Sequence, residues 1–329
     1  MQCHELLLPD WAWERADELP ETENAGALRR VQAALTACGQ AQALGNLLVL
    51  GSGAGRLSWD IHRHLAPSTT LALDNNPLLS AVAHRLVALQ QPWQLLEVQP
   101  SRQLGLPQEQ LWWLEAPAAD TELRSRWFAL AADAWQAPLR RGCFDVLVTP
   151  WFVDVNGREI RELIGLVAQL LKPGGLWINT GPLLYASNLT LAQKYTHDEI
   201  LTLLGMAGFS VEFQQAETLT YLKSPLSTQV RGEQVWTFAA RAPAQGYINT
   251  QAEFPPAWLQ LPHLPIPHSV ALVQQQNPVL QQLLGLVDGR TSLQQIAAQM
   301  APNLDPGQDA LALVKTVFAQ LLLGVEMEA

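Results

Sequence analysis

Apolar residues in the first two-thirds of this chain fall in short unbroken runs rather than in strict alternation. Leu47-Leu-Val-Leu50, Thr69-Thr-Leu-Ala-Leu73, Trp127-Phe-Ala-Leu-Ala-Ala132 and Phe144-Asp-Val-Leu-Val-Thr149 each run into a glycine, an aspartate or a proline. Such runs read as parallel strands buried on both faces by helices. The stretches between them have helical spacing, which predicts helices at Arg56–His64 and 78–90, and further on at Gly157–Leu171 and Thr196–Gly208. Strands are also expected at Leu176–Asn179, Phe209–Gln214 and Val235–Ala240, the last two forming an antiparallel end. Strands alternating with helices predict an α/β chain on a Rossmann-like sheet with helices on both faces. The region from Gln91 to Leu123 is irregular and proline-interrupted, and reads as an insertion with at least one strand near Gln110–Glu115.

The pattern divides the chain into four parts: an N-terminal helical segment (1–45), the α/β domain (46–242), a proline-rich linker (243–268) and a small, mainly helical C-terminal domain (269–329). In the N-terminal segment, Leu28 to Leu35 carries apolar residues at helical spacing with Arg29 and Arg30 among them. It reads either as a helix packed over one sheet edge or as a lid that brings an arginine to a cofactor carboxylate. Helices are expected in the C-terminal domain at Asn277–Leu286, Ser292–Met300 and Asp309–Leu323, the second capped by its serine.

Composition narrows the function classes. With 329 residues the chain has room for one large domain and a smaller appendage. A net charge of −10 and the lack of a Lys/Arg run argue against general binding of nucleic acid. The three cysteines, Cys3, Cys38 and Cys143, have neither metal spacing nor a disulfide framework. The N-terminal residues lack the basic and apolar blocks of a secretory signal, and no apolar run is long enough for a bilayer. The expectation is a cytoplasmic protein that binds neither membrane nor metal, with a homodimer as the candidate assembly.

The candidate chemistry begins at the end of the first strand, where Gly51, Gly53 and Gly55 lead directly into a helix. Glycines let a ligand approach the backbone, and a helix start offers unpaired N–H groups. The dinucleotide fingerprint needs a glycine where this chain has Arg56, so the spacing favours S-adenosylmethionine over a dinucleotide. Asp74 ends the second strand about twenty residues later, where a carboxylate can accept from ribose hydroxyls. It also begins Asp74-Asn-Asn-Pro77, a good helix start, and both roles are compatible. Asp133 ends the strand beginning at Trp127, a place for an acceptor of the adenine amino group or for a simple surface turn. His197 begins Thr196-His-Asp-Glu199, where Thr196 and Glu199 form a capping box, so a structural role is expected.

Three stretches carry a family resemblance: the glycine turn, Thr149-Pro-Trp-Phe-Val-Asp154, and Leu171-Lys-Pro-Gly-Gly-Leu-Trp-Ile-Asn-Thr-Gly-Pro-Leu-Leu-Tyr185. They resemble the carnosine N-methyltransferase family, whose core reads roughly Thr-Cys-Phe-Phe-Ile-Asp and Leu-Lys-Pro-Gly-Gly-x-Trp-Ile-Asn-x-Gly-Pro-Leu-Leu-Tyr-His. The resemblance covers roughly residues 46–240 and implies a class I methyltransferase sheet and transfer from S-adenosylmethionine to an imidazole nitrogen. It puts Gly51, Gly53, Asp74, Asp133, Ala134 and Pro150 on cofactor-contacting places and makes Asp154 the acid that holds the imidazole. A loop-capping acid is the plainer reading of Asp154. The family's histidine is replaced by Ala186, and its Lys-Tyr-Tyr-Tyr cluster is absent where this chain reads Arg231-Gly-Glu-Gln-Val-Trp-Thr-Phe238. Tyr185 and Tyr221 remain as candidate aromatic walls, and carnosine itself is not the expected substrate. The acceptor is instead a histidine-type small molecule, or a peptide side chain delivered by the C-terminal domain. That domain resembles the winged-helix PqqD family over "LLGLVDGRTSLQQIAAQM". A scaffold that binds the cofactor without transferring a methyl group is the reading from a different class.

Overall fold

The structure is a computed structural model that describes every residue except 1–2, 14–21, 42–43, 100–107, 186–192, 228–230, 245–256, 267–269, 272–277, 305–306 and 324–329. The replacement at Ala186 and much of the proline-rich stretch therefore lie outside the described residues.

The chain divides into two units. The first is built on a seven-stranded sheet. Its parallel strands are β1 (Asn46–Leu50), β2 (Thr69–Asp74), β5 (Trp127–Ala131), β6 (Phe144–Pro150) and β7 (Leu171–Gly181). Two antiparallel strands, β8 (Ser210–Tyr221) and β9 (Arg231–Arg241), complete it in the order β5-β2-β1-β6-β7-β9-β8. This is a Rossmann-like sheet with the strand order of the class I methyltransferase fold. The strand order reverses at β1, which lies between β2 and β6, and ligands of open α/β sheets bind outside the carboxyl ends of the strands at such a point. Lys172-Pro-Gly-Gly175 forms an irregularity within β7, whose register with β6 jumps from Phe144↔Leu171 to Val146↔Leu176.

Helices α3 (Arg56–Leu65), α4 (Pro77–Val87) and α6 (Ile160–Leu170) lie between the parallel strands, and α7 (His197–Met206) precedes β8. Two apolar clusters enclose the strands. One gathers Leu7, Leu8 and Trp11 from α1 (Cys3–Trp11) with Trp59, Leu79, Leu86 and Trp127. The other gathers Val31 and Leu35 from α2 (Glu23–Ala37) with Leu47, Val49, Ile61, Val148 and Ile178. The N-terminal segment is thus packed into the core of the first unit, and its arginines do not serve as a lid. Arg29 and Arg30 both reach Glu217 on β8, at 2.8 and 3.1 Å.

The irregular insertion holds two strands, the expected one and a second before it. β3 (Trp93–Gln99) pairs antiparallel with β4 (Gln108–Leu114), and the short α5 (Thr121–Arg124) follows. Glu97 anchors this ribbon: its carboxylate is buried and accepts from the indole N–H groups of Trp13 (2.9 Å) and Trp112 (2.8 Å). β3 was hidden from sequence because its polar and apolar residues do not alternate, as in Leu95-Leu-Glu-Val98.

The second unit gathers residues 157–160 and 185–200 with 248–329. Its apolar core draws Leu283 and Leu284 from α9 (Pro278–Leu284), Leu293 and Ile296 from α10 (Leu293–Met300), and Val314 and Phe318 from α11 (Ala310–Leu323). Trp258 and Leu259, from the helical turn α8 (Ala257–Gln260), and Ile266 are buried in the same core, although they belong to the stretch that composition marks as linker. Ser292 caps α10 as expected, in a reciprocal capping box with Gln295. Among the described residues of this unit the helices are present without a β-hairpin wing; the β pairing there is the isolated bridge Pro265–Ser292. Among the described residues no helix is long and apolar enough to cross a membrane.

Candidate active site

The glycine turn follows β1 directly. Gly51 and Ser52 both donate to the Leu73 carbonyl oxygen, at 2.9 and 3.0 Å, so the turn is tied to the end of β2. Gly51 has φ +71°, and a Cβ there would lie 2.5 Å from Cδ2 of Phe152. This glycine is therefore required by an aromatic ring of the protein. Gly53, at φ +56°, faces the opposite situation: the nearest atom to a Cβ would be Asp10 Oδ2 at 4.0 Å. Its N–H donates to Asp74 Oδ2 at 2.8 Å. Gly55 begins α3 without a side-chain cap, so the first turn of that helix keeps N–H groups for a ligand.

Asp74 is buried, with one carboxylate oxygen on Gly53 N–H and the other on Asn76 N–H at 2.8 Å. Burial pushes its carboxyl above the ordinary range, and the two N–H donors oppose that shift. Asp74 is not itself the cap of α4. Asp74 holds the turn that starts α4, while Asn76 caps the helix by accepting from Leu78 N–H at 3.0 Å. Each carboxylate oxygen can accept more than one hydrogen bond, so the pair can still receive ribose hydroxyls. The residues present thus fit an adenosine-bearing cofactor: an open glycine face, an oriented acid beside it and an uncapped helix start.

Asp133 lies beyond β5. Its Oδ1 accepts from Trp135 N–H at 3.0 Å and its carbonyl from Gln136 and Ala137 N–H, which makes a tight turn with Ala134 buried inside it. Trp135 stacks on Phe152 with ring centroids 6.0 Å apart. Phe152 thereby joins the turn at Asp133–Ala134 to the turn at Gly51. Sequence reasoning missed it, because Phe152 stood within a quoted motif with no role of its own.

Pro150 is buried at the end of β6, paired in register with Thr180. Behind it a polar network joins the strand ends: Trp177 Nε1 donates to Thr149 Oγ1 (2.9 Å), which donates to Asn179 Oδ1 (3.0 Å). At Trp151 the backbone turns left-handed, φ +44°, which costs a tryptophan about 1–2 kcal/mol. Three contacts hold it there. Its N–H donates to Thr180 O at 2.8 Å, its indole donates to Glu233 Oε2 at 2.9 Å, and its ring stacks on Tyr221 at 5.7 Å. Arg231 lies over the other side of this pair, 5.1 Å from the Tyr221 centroid, and binds Glu233 at 2.6 Å. Tyr221, the candidate aromatic wall, is thus held between Trp151 and Arg231. Trp151 and Glu233 were missed; Glu233 acts only through partners far away in sequence, which no local pattern reveals.

The turn at Trp151 delivers Asp154, which is 2% exposed. Its Oδ2 accepts from Leu184 N–H at 2.8 Å, so the loop after β7, Gly181-Pro-Leu-Leu184, holds it in place. Its Oδ1 is buried and has no hydrogen-bond partner among the described residues. Burial raises its carboxyl above the ordinary range; Leu184 N–H opposes the shift and the Glu233 charge adds to it. Tyr185 belongs to the second unit, where its hydroxyl donates to the Tyr195 carbonyl at 2.7 Å. Thr196 and Glu199 form the capping box expected ahead of His197. Among the described residues no group of three or more His, Cys, Asp or Glu side chains could hold a metal ion.

Comparison with known proteins bears on the same residues. Residues 107–243 match the family model described as carnosine N-methyltransferase. Carnosine N-methyltransferase of Rattus norvegicus is 25% identical over 208 residues, which cover 60% of this chain and 52% of that protein. That of Dictyostelium discoideum is 38% identical over 58 residues, 18% of this chain and 12% of that protein. This chain spans about half the length of the rat protein it matches. Among solved structures, the N-methyltransferase NodS from Bradyrhizobium japonicum, in complex with S-adenosyl-L-homocysteine, aligns with TM-score 0.46 and 16% identity. The alignment covers 73% of this chain and 96% of NodS. The [4+2]-cyclase SpnF aligns with TM-score 0.46 and 14% identity over 71% of this chain and 86% of that one. The segment that matches the family model, from β4 to the end of β9, contains Asp154, Trp151, Tyr221 and Glu233.

Proposed function

We propose that this chain transfers a methyl group from S-adenosylmethionine to a ring nitrogen of a histidine-type small molecule, with Asp154 holding the imidazole. The observation that carries this reading is the buried Oδ1 of Asp154, which has no hydrogen-bond partner among the described residues, on a carboxylate whose other oxygen is already bound. An orphaned buried carboxylate oxygen is expensive unless a ligand donor meets it. A neutral imidazole supplies one N–H donor and, on its other nitrogen, one lone pair. Accepting the N–H selects the tautomer and aims the lone pair away from Asp154.

When bound, the cofactor supplies a methyl group already activated by its sulfonium. The new C–N bond forms as the C–S bond breaks, and the ring becomes cationic. Asp154 stabilises that charge as it develops and can take up the ring N–H proton afterwards. No strong base is needed, so the chain's work is to hold the ring in line and exclude water. Gly53, Asp74 and the Asp133–Ala134 turn would hold the adenosine part, with Phe152 between the two ligands' loops. The family resemblance and the match over residues 107–243 support the reading. The finer claim, a histidine-type acceptor other than carnosine, rests on Arg231 and Glu233 standing where the family has its tyrosine cluster.

The test is methyl transfer from isotope-labelled S-adenosylmethionine to a panel of histidine-type compounds, with the labelled position read by mass spectrometry. Label in the imidazole ring, abolished by Asp154→Ala, is expected. Label only on oxygen or carbon acceptors would overturn the acceptor assignment. Cofactor binding with no transfer to any imidazole would make the chain a scaffold.

A further inference from the structure

Helix α1 is fastened to the glycine turn at its last residues. Trp11 Nε1 donates to the Ala54 carbonyl at 2.9 Å, and Arg56 Nη1 donates to the Asp10 carbonyl at 2.9 Å. The Arg56 guanidinium lies 5.5 Å from the Trp11 ring centroid and is held from the other side by Asp60 at 2.7 Å. The one cation in the glycine turn sequence is therefore committed to anchoring α1.

This anchoring places the Asp10 side chain. One carboxylate oxygen accepts from Asn24 Nδ2 of α2 at 3.1 Å. The other is the nearest atom to the open face of Gly53, 4.0 Å from where a Cβ would stand, with nothing else within that distance. The same charge reaches Tyr221, whose phenol burial and the carboxylates of Glu23, Glu233 and Asp10 push up. Asp10 thus faces the turn that would hold the cofactor, and its charge is felt at the wall that would face the acceptor. The methionine part of S-adenosylmethionine bridges those two places, and its α-ammonium needs an anion once it leaves water. β1 offers none, since Leu47 to Leu50 are all apolar.

We propose that Asp10 receives the α-ammonium of the methyl donor, so that α1 supplies a cofactor-binding residue that the strand itself lacks. The assignment rests on the S-adenosylmethionine reading. A carboxylate has acceptor sites to spare, so the ammonium adds to the Asn24 contact without displacing it.

Two ligands separate the possibilities in calorimetry: S-adenosylhomocysteine and its analogue with the α-amino group replaced by hydrogen. The wild-type chain should bind S-adenosylhomocysteine at least about tenfold more tightly than the deamino analogue, the range of one hydrogen bond to a charged group. Asp10→Asn keeps an acceptor for Asn24 and should weaken S-adenosylhomocysteine about tenfold while leaving the analogue's Kd unchanged. Equal affinity of the wild-type chain for the two ligands overturns the proposal whether or not the variant folds. Equal weakening of both by Asp10→Asn shows that Asp10 acts only by placing α1, and also overturns it. Failure of the wild-type chain to bind S-adenosylhomocysteine at all would instead remove the cofactor reading on which the proposal stands.

Discussion

The two ends of the candidate site are built differently. At the cofactor end, the geometry is made mostly of backbone: Gly51 and Ser52 N–H on the Leu73 carbonyl, and Gly53 and Asn76 N–H on Asp74. Each acidic oxygen of Asp74 already has a partner, so this end is complete before a ligand arrives. At the acceptor end, side chains distant in sequence make the geometry: Trp151 with Glu233, Tyr221 with Arg231. There the central acid keeps one buried oxygen without a partner among the described residues. A backbone cradle can serve any nucleoside-like cofactor, whereas a buried, half-paired carboxylate selects what meets it. On the proposed function, specificity would reside at the end whose polar groups are unfinished.

The largest expected effect breaks that asymmetry. Asp154→Asn replaces an ionic acceptor by a neutral amide and should lower kcat/KM for the imidazole acceptor about 100-fold, the upper part of the range for a hydrogen bond to a charge. The Kd for S-adenosylhomocysteine should stay within about twofold, since the cofactor end does not depend on Asp154. Steady-state kinetics and calorimetry on the same preparation check both. Stability should move the other way. Burial raises the folded-state carboxyl of Asp154, so the unfolded chain ionises first as pH rises, and ionisation costs the folded state stability. That cost is absent below the unfolded value, grows as pH passes from it to the folded value, and is then constant. The Asn variant should accordingly unfold at a higher temperature than the wild type at pH 7, with the advantage vanishing at strongly acid pH.

Next comes the cofactor end. Gly51→Ala places a Cβ 2.5 Å from the Phe152 ring on a left-handed residue, so overpacking and strain combine. The expected loss is about 3 kcal/mol, read as a lower denaturant midpoint at constant m. The same residue shows what sequence could and could not reveal. The glycine spacing, the apolar run before it and the acid ending β2 are local, and they are legible as a candidate cofactor end. Why Gly51 must be glycine was not legible, because its neighbour is Phe152, brought there by the left-handed turn at Trp151. β3 and the burial of Trp258 and Ile266 were hidden for a related reason: tertiary packing overrides composition that reads as insertion or linker. The aromatic, acid-bearing loop after β6 was visible, and so was Asp154. The pairing that orients that loop was not, since Glu233 lies 82 residues from Trp151.

A third change sharpens the acceptor end. Glu233→Gln keeps an acceptor for the Trp151 indole but loses the ion pair with Arg231 and removes a negative charge that raises the Asp154 carboxyl. The left-handed turn should survive, and the acceptor KM should rise about three- to tenfold, as for a lost interaction of about 1 kcal/mol. Because a like charge has gone, Asp154 ionises at lower pH, and the acid limb of kcat/KM should move down. A KM rise with an unmoved acid limb would place Glu233 in the wall's architecture alone.

The smallest effect on folding is expected at Gly53, and it bears most directly on what separates the two ends. Gly53→Ala meets no clash: the nearest atom to the new methyl is Asp10 Oδ2, 4.0 Å away. Only the strain of φ +56° remains, about 1 kcal/mol, or roughly a third of the loss at Gly51. The methyl nevertheless enters the space that a ligand between Gly53 and Asp10 would occupy. Folding and binding should therefore separate in opposite senses at the two glycines. Gly51→Ala should lose more stability than Gly53→Ala, while Gly53→Ala should weaken S-adenosylhomocysteine by at least as much as its loss of stability. If Gly53→Ala is destabilised by about 1 kcal/mol and still binds with wild-type affinity, then the open face of Gly53 is not a ligand surface. The cofactor would then have to lie on the Asp133–Ala134 side of the turn.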